Sequence, residues 1–95
     1  MTLRIKVLTL DFQLPGCRSL KDKRHRLRGL KDRFGKTGNL AVTESDYHDH
    51  HQLAQWSFVA IGRDGQGLDK LLDDVEKYSH AQLDANIVHS ERQRF

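Results

Sequence analysis

Apolar and polar residues alternate from Leu3 to Leu14, which predicts a strand because alternate residues of a strand face opposite sides. The apolar phase changes midway, from odd positions up to Val7 to even positions from Leu8 onward. A bulge near Val7 and Leu8 would restore one continuous apolar face. A strand buried on both faces at its centre would give the same pattern, so both interpretations stay open.

A helix is predicted next. Pro15 and Gly16 break the strand, and Ser19 with Asp22 three positions later forms a capping box that opens a helix. Gly35 ends it. Four apolar side chains fall within one arc of about 80° on the helical wheel and are expected to face a core: Leu20, Leu27, Leu30 and Phe34.

The second half of the chain shows three further elements. Two strands, 39–47 and 52–62, are joined by a short polar connection, which predicts a hairpin. Residues 64–79 place apolar side chains at helical spacing opposite charged ones, which predicts an amphipathic helix. Alternation of Leu83, Ala85 and Ile87 with polar residues predicts a last strand before a polar tail.

The order strand, helix, strand, strand, helix, strand predicts an α+β fold of the ferredoxin-like, split βαβ type. Right-handed crossovers place both helices on one face of an antiparallel four-stranded sheet. A chain of 95 residues has room for a single domain, residues 1–95. Val59 and Ile61 have the opposite phase from Trp56 and Phe58, so the other sheet face is expected to meet a second copy or a partner. We therefore predict a homodimer.

Composition narrows the class of protein. Hydrophobic residues make up 37% and charged residues 31%, as in an ordinary folded domain. The single cysteine permits no intramolecular disulfide, and the N-terminus does not resemble a signal peptide, so a cytoplasmic protein is expected. No apolar run approaches the about 20 residues that span a bilayer. A small domain rarely encloses a site, so neither catalysis nor a cofactor is expected.

Charge is unevenly distributed along the chain. Residues 18–36 hold nine basic residues against two acidic ones, whereas residues 64–84 hold six acidic residues against two basic ones. A concentrated basic segment is typical of proteins that bind phosphate-rich partners. The candidate nucleic-acid-binding residues are Arg18, Lys21, Lys23, Arg24, Arg28 and Lys31.

Two other interpretations of the basic helix stay open. Its charges could be solvated and paired with acidic residues of the second helix, or they could bind an acidic protein. Lys23 falls inside the apolar stripe, so it must extend outward, bind something, or mark the edge of the core. A mixture of Arg and Lys suits contacts to a phosphate backbone, which would give affinity without strong sequence specificity.

Other residues carry weaker signals. His48 and His50 lie at alternate positions and could share a metal, but the spacing of structural zinc sites is missing, so exposed loop histidines are the better interpretation. Cys17 lies just before the helix cap, where a thiolate is favoured, yet a structural turn thiol is the simpler interpretation. Trp56 and Phe58 have the spacing of base-stacking aromatics, but core packing under the helices is favoured.

The run from Leu8 to Arg24 closely resembles the YlxP-like family of small bacterial proteins, a domain of unknown function, and the resemblance continues through 27–33 and 39–62. It implies a ferredoxin-like fold. Members are often encoded beside genes for transcription termination, translation initiation and ribosome maturation, which implies a role near RNA or ribosomes. The signature residues of the family correspond here to Leu14, Pro15, Gly16, Cys17, Arg18, Ser19, Leu20, Lys21, Asp22, Lys23, Arg24, Glu44, Asp46, Asp49 and Gln52.

Together these observations predict a binding protein that contacts structured RNA or a ribosome-related assembly through its basic first helix. The alternative is a homodimeric protein-interaction module that docks an acidic protein and binds no nucleic acid. A small metalloenzyme that uses the hairpin histidines is a third and weaker hypothesis.

Overall fold

The computed structural model describes residues 2–95, and its elements follow the predicted order. They are β1 (Arg4–Gln13), α1 (Leu20–Phe34), β2 (Leu40–Asp46), β3 (Leu53–Gly62), α2 (Gly65–Gln82) and β4 (Asn86–Arg94). The strands form one antiparallel sheet in the order β2-β3-β1-β4, and the helices cover one face of it. The α+β ferredoxin-like prediction is confirmed.

Strand β1 lies at the centre of the sheet and contains no bulge against β3. The pairing runs without interruption from Arg4 opposite Gly62 to Gln13 opposite Leu53, so of the two interpretations left open, the bulge near Val7 and Leu8 is wrong. The even positions Leu8, Leu10 and Phe12 are fully buried beneath the helices. The change of phase in the sequence arises because the strand supplies apolar side chains to one face in its first half and to the other in its second.

The sheet face opposite the helices, which we call the open face, carries an apolar patch. Ile5 lies directly opposite Ile61, and Val7 lies directly opposite Val59. Ile61 is 42% exposed, while the other three are half-buried. The sequence prediction that Val59 and Ile61 face away from the helices is confirmed.

Helix α1 begins as its sequence predicts. Ser19 is the N-cap, and its hydroxyl accepts a hydrogen bond from the Asp22 amide at 3.0 Å. The Asp22 carboxylate pairs with Arg26 at 3.2 Å. The buried face of the helix is formed by Lys23, Leu27, Leu30 and Phe34, whereas Leu20 is only partly buried.

Helix α2 begins after its N-cap Asp64 and continues to Gln82, three residues beyond the predicted end at Ser79. Ser79 is fully buried, and its hydroxyl donates to the Val75 carbonyl at 2.8 Å. Neither helix within residues 2–95 is long and apolar enough to cross a lipid bilayer.

Strand β4 differs most from the prediction. The predicted alternation begins at Leu83 and precedes a polar tail, but the strand runs from Asn86 to Arg94 through that tail, and most of its side chains are exposed. Backbone pairing with β1 holds it, with a register shift between Asp11 and Phe12 of β1. Arg92 also anchors it to α2. Hydrophobic alternation could not show how far this strand extends, because an edge strand held by backbone hydrogen bonds needs few apolar residues.

Candidate nucleic-acid interface

Five of the predicted basic residues are exposed on the molecular surface. Within residues 2–95, Arg18, Lys21, Arg24 and Lys31 form no ion pair, so their charges face solvent without a carboxylate neighbour. Arg28 pairs only with Asp32 one turn along α1, at 3.2 Å, and both side chains are largely exposed. An exposed ion pair of this kind stabilises the protein little, so another anion can readily replace the Asp32 carboxylate. We call these five residues the basic surface.

Three of the four acidic residues of α2 form ion pairs with strands of the sheet. Asp69 contacts Lys6 of β1 at 2.8 Å. Asp73 and Glu76 contact Arg92 of β4 at 2.7 and 2.8 Å. The expected alternative, in which α2 neutralises α1, is therefore not what the described residues show. The sheet strands supply the partners of these α2 carboxylates, and α1 keeps most of its charge.

The far flank of α1 is different. Arg26 contacts Asp22 at 3.2 Å and Asp84 at 3.5 Å, and it donates to the Pro15 carbonyl at 2.9 Å. Arg33 lies over the Tyr78 ring of α2, 5.8 Å from its centre. The two flanks of α1 thus have different roles, because Arg26 and Arg33 contact residues outside the helix, whereas the flank away from α2 forms no ion pair outside the helix within residues 2–95.

Lys23 requires a correction to the predicted set. Its side chain is 3% exposed, and its ammonium donates to the carbonyls of Tyr47 and Leu53 at 2.8 and 3.1 Å. Its Nζ atom also lies 3.1 Å from the Glu44 carboxylate. A buried ammonium with these partners cannot reach a phosphate outside the protein. Lys23 is therefore excluded from the basic surface, and its place in the apolar stripe of the helical wheel reflects real burial.

A groove separates α1 from the edge strand β2, and we call it the α1–β2 groove. It has a volume of about 360 Å³. Three cations of the basic surface lie on one side of it, and residues of β2, β3 and the hairpin connection form the rest. Its lining residues are Arg24, Arg28, Lys31, Thr43, Glu44, His48 and Trp56. The sequence could not indicate this groove, because it depends on how far α1 lies from the edge strand.

Trp56 forms part of this groove and carries an unusual polar atom. The residue is only 8% exposed, which confirms that it packs mainly in the core. Its indole N–H is buried and has no hydrogen-bond partner among the described residues. A buried donor without an acceptor costs about 1–3 kcal/mol, so a small shift of the ring that brings the N–H to an acceptor in the groove would recover part of that cost.

The two candidate metal ligands are not brought together. The hairpin connection is a turn, with Tyr47 at a φ of 63° and the His50 amide donating to the Tyr47 carbonyl at 3.0 Å. His48 contacts the Glu44 carbonyl through Nε2 at 3.2 Å, whereas the His50 ring packs edge-on against Tyr47. No cluster of three or more metal-ligating side chains is present in residues 2–95.

Cys17 lies where the end of β1, the start of α1 and the hairpin meet. It is 1% exposed, and its thiol donates to the Ser19 carbonyl at 3.4 Å. The Gln52 side chain donates to the Cys17 carbonyl at 3.3 Å. These contacts fit the turn thiol that was expected.

Residues 5–92 match a family described as a protein of unknown function, DUF503. The chain belongs to this family. The match spans nearly the whole fold, from the first apolar position of β1 to Arg92 of β4. No curated protein matches the chain.

Several solved structures share the fold with this member of the family. A de novo designed protein, Foldit4, has a TM-score of 0.59 at 6% identity, over 99% of this chain and 97% of that one. A putative chlorite dismutase has a TM-score of 0.57 at 12% identity, over 96% of this chain and 43% of that one. SnoaB, a cofactor-independent oxygenase from Streptomyces nogalater, has a TM-score of 0.51 at 13% identity, over 97% and 90%. At these identities the likeness shows the fold alone.

Proposed function

We propose that this protein binds structured RNA, as part of a ribosome-related assembly in the bacterial cytoplasm, through the basic surface. The observation that carries the proposal is that four of its five cations are exposed and have no carboxylate partner within residues 2–95. Uncompensated positive charge on a small domain favours a polyanion. The resemblance to YlxP-like bacterial proteins supports the same kind of partner.

The contacts would be made to the RNA backbone. Arg24, Arg28 and Lys31 follow one another at intervals of one helical turn, so they present a row of donors about 5 to 6 Å apart along α1. Guanidinium groups hold phosphate oxygens in pairs, and ammonium groups act as point charges. Such contacts position the protein on its ligand and read no sequence directly.

The test is fluorescence anisotropy with a labelled structured RNA across a salt series. Each phosphate neutralised makes the logarithm of affinity fall by about 0.7 to 0.9 per logarithmic unit of salt. Reversing two charges with Arg24→Glu and Arg28→Glu is expected to reduce that slope by about 1.5. A variant with Lys70→Glu and Lys77→Glu has the same net charge but changes exposed residues of α2, so it should retain most of the affinity. Equal losses in the two variants, or a flat salt response, would refute the proposal.

A second candidate function rests on the open face. Its apolar patch pairs Ile5 with Ile61 and Val7 with Val59, while Asp11 and Glu91 lie further along the same face. An apolar patch of this kind suits a second copy of this chain. The protein would then be a homodimeric interaction module, whose basic surface docks an acidic protein.

Sedimentation equilibrium tests this second candidate. We expect the wild-type protein to be a dimer and Val59→Lys to be a monomer, since a charge placed in the patch would remain unpaired in the interface. Gln82→Lys, an exposed change at the end of α2 on the other side of the sheet, is the control and should leave the dimer intact. A wild-type monomer at high concentration would exclude the dimer.

A further inference from the structure

We infer that the α1–β2 groove holds a single unpaired nucleotide, with its phosphate on the basic surface and its base against Trp56. This inference rests on the proposed function and adds to it the structural element of the RNA that the protein selects. Three features of the groove support it: its charge, its buried donor and its dimensions.

The charge of the groove favours an anion at one side. Arg24, Arg28 and Lys31 line it from α1, and Glu44 is the only carboxylate among the lining residues. The ammonium of Lys23 lies 3.1 Å from that carboxylate. Because this pair is internally compensated, Glu44 does not cancel the charge of the three cations. A phosphate group is the anion that such a mixed Arg and Lys row fits best.

The Trp56 indole supplies the second feature. It is the only tryptophan of the chain, it lines the groove, and its buried N–H has no acceptor within residues 2–95. A nucleobase offers carbonyl oxygens and ring nitrogens as acceptors, together with a flat apolar surface that packs against an aromatic edge. An inorganic anion could bind the cations but would leave the aromatic wall of the groove uncovered.

The third feature is size. A cavity of about 360 Å³ lies at the lower end of the range for small-ligand sites, about 300 to 1,000 Å³. It has room for one nucleotide unit and is too narrow for a duplex, which an α-helix and an edge strand cannot enclose between them. Base edges in an RNA helix are engaged in pairing, so the nucleotide that enters has to come from a bulge, a loop or an end.

The emission of Trp56 reports directly on this groove. We would titrate the full-length protein with two RNA hairpins that differ by one unpaired nucleotide in the stem, and separately with nucleoside monophosphates and with inorganic phosphate. Free tryptophan amide, titrated in parallel, corrects for light absorbed by the nucleotides. We expect a saturable change in emission with the bulged hairpin and with the monophosphates. The uninterrupted hairpin and inorganic phosphate should leave the emission unchanged.

The outcomes separate the two proposals. If both hairpins bind by anisotropy and neither changes the emission, the groove is not the nucleotide site, while the proposed function stands. An equal change with both hairpins overturns the selection of an unpaired nucleotide. If no RNA binds, the proposed function fails, and the monophosphates alone decide whether the groove takes a nucleotide.

A conservative variant provides an independent test. Trp56→Phe keeps an aromatic ring and removes the N–H, so it is expected to weaken binding of the bulged hairpin about fivefold and to leave the uninterrupted hairpin unaffected. Lys31→Gln should weaken binding of the bulged RNA hairpin and preserve the fold, because the Lys31 side chain is exposed on α1. Unchanged affinity for the bulged hairpin in both folded variants would overturn the inference.

Discussion

The Nζ atom of Lys23 lies 3.1 Å from the Oε2 atom of Glu44, and through this ammonium α1 is joined to the β2–β3 hairpin. The same group donates to the carbonyls of Tyr47 and Leu53, which lie on either side of the hairpin connection. An ammonium has three protons, and these partners can accept all of them. Lys23 thus fixes the position of α1 relative to the edge of the sheet and sets one wall of the α1–β2 groove.

Removing this ammonium should destabilise the protein strongly. Lys23→Ala leaves two buried carbonyls without their donor and Glu44 without its partner, so we expect the free energy of unfolding to fall by about 3 kcal/mol. Glu44→Gln should cost only about 1 kcal/mol, since Glu44 is partly exposed and an amide oxygen still accepts. Urea denaturation measures the loss of unfolding free energy in both variants, and Lys21→Ala, at an exposed position of α1, is the control. A loss no larger than that of the control would show that the ammonium does not support the hairpin.

Gly29 allows α1 and α2 to approach closely. A Cβ atom at this position would overlap the hydroxyl of Tyr78, whose ring packs edge-on against Phe34 with the ring centres 5.5 Å apart. Gly29→Ala gains about 1 kcal/mol in helix propensity, but overpacking costs about 1–3 kcal/mol. We expect a net loss of stability in thermal denaturation. Tyr78→Phe removes the hydroxyl, so the double variant should recover part of the stability that Gly29→Ala loses. If the stability changes of the two single variants simply add in the double variant, the contact is refuted.

The hydrogen bond from Lys6 lowers the pKa of Asp69 below its ordinary value. A carboxyl group whose pKa is lower in the folded state adds stability above its unfolded-state pKa, and this stability is lost as the pH falls through the folded-state value. NMR titration of the side-chain carboxyl should therefore give a pKa below that of an ordinary aspartate. Lys6→Gln should move it back toward the ordinary value, whereas Lys77→Gln, an exposed change elsewhere on α2, should leave it unchanged. An Asp69 pKa that Lys6→Gln does not move would exclude Lys6 as the cause.

Arg92 holds the exposed strand β4 against α2. Its guanidinium donates to Asp73 at 2.7 Å and twice to Glu76, at 2.8 and 3.2 Å. Arg92→Ala is expected to cost about 1 kcal/mol and to speed amide hydrogen exchange in β4 more than in β3. Replacement of Arg94, which lies two residues further along the strand, is the control. Unchanged exchange in β4 would mean that backbone pairing alone retains the strand.

Hydrophobic periodicity is sufficient to predict the helices and strands that contribute side chains to the core. The stripe of α1 and the even positions of β1 point inward as the pattern predicts, because burial under the helices requires apolar side chains at those positions. The pattern failed for β4, whose residues are held by backbone pairing and by Arg92. For β1 the pattern left two interpretations open, a bulge or burial on both faces, and the uninterrupted pairing with β3 excludes the bulge.

The candidate site could be predicted only in part. On the helical wheel Arg24 and Arg28 lie on the opposite flank from Arg26, and within residues 2–95 only Arg26 of these three forms an ion pair outside α1. The partners of Lys23 lie more than 20 residues away along the chain, so no local pattern could show that its charge is buried. The α1–β2 groove likewise depends on tertiary spacing.

The unpaired cations of the basic surface lie on α1 and in the turn before it, so this side of the molecule projects a positive field. A polyanion would orient such a molecule before the surfaces touch, with α1 leading. The rate of association should then carry most of the salt dependence, while the rate of dissociation depends on the short-range contacts that form afterwards. Stopped-flow measurements with the labelled RNA can separate the two rates, and the proposed function predicts that charge placement sets the rate of association as well as the affinity.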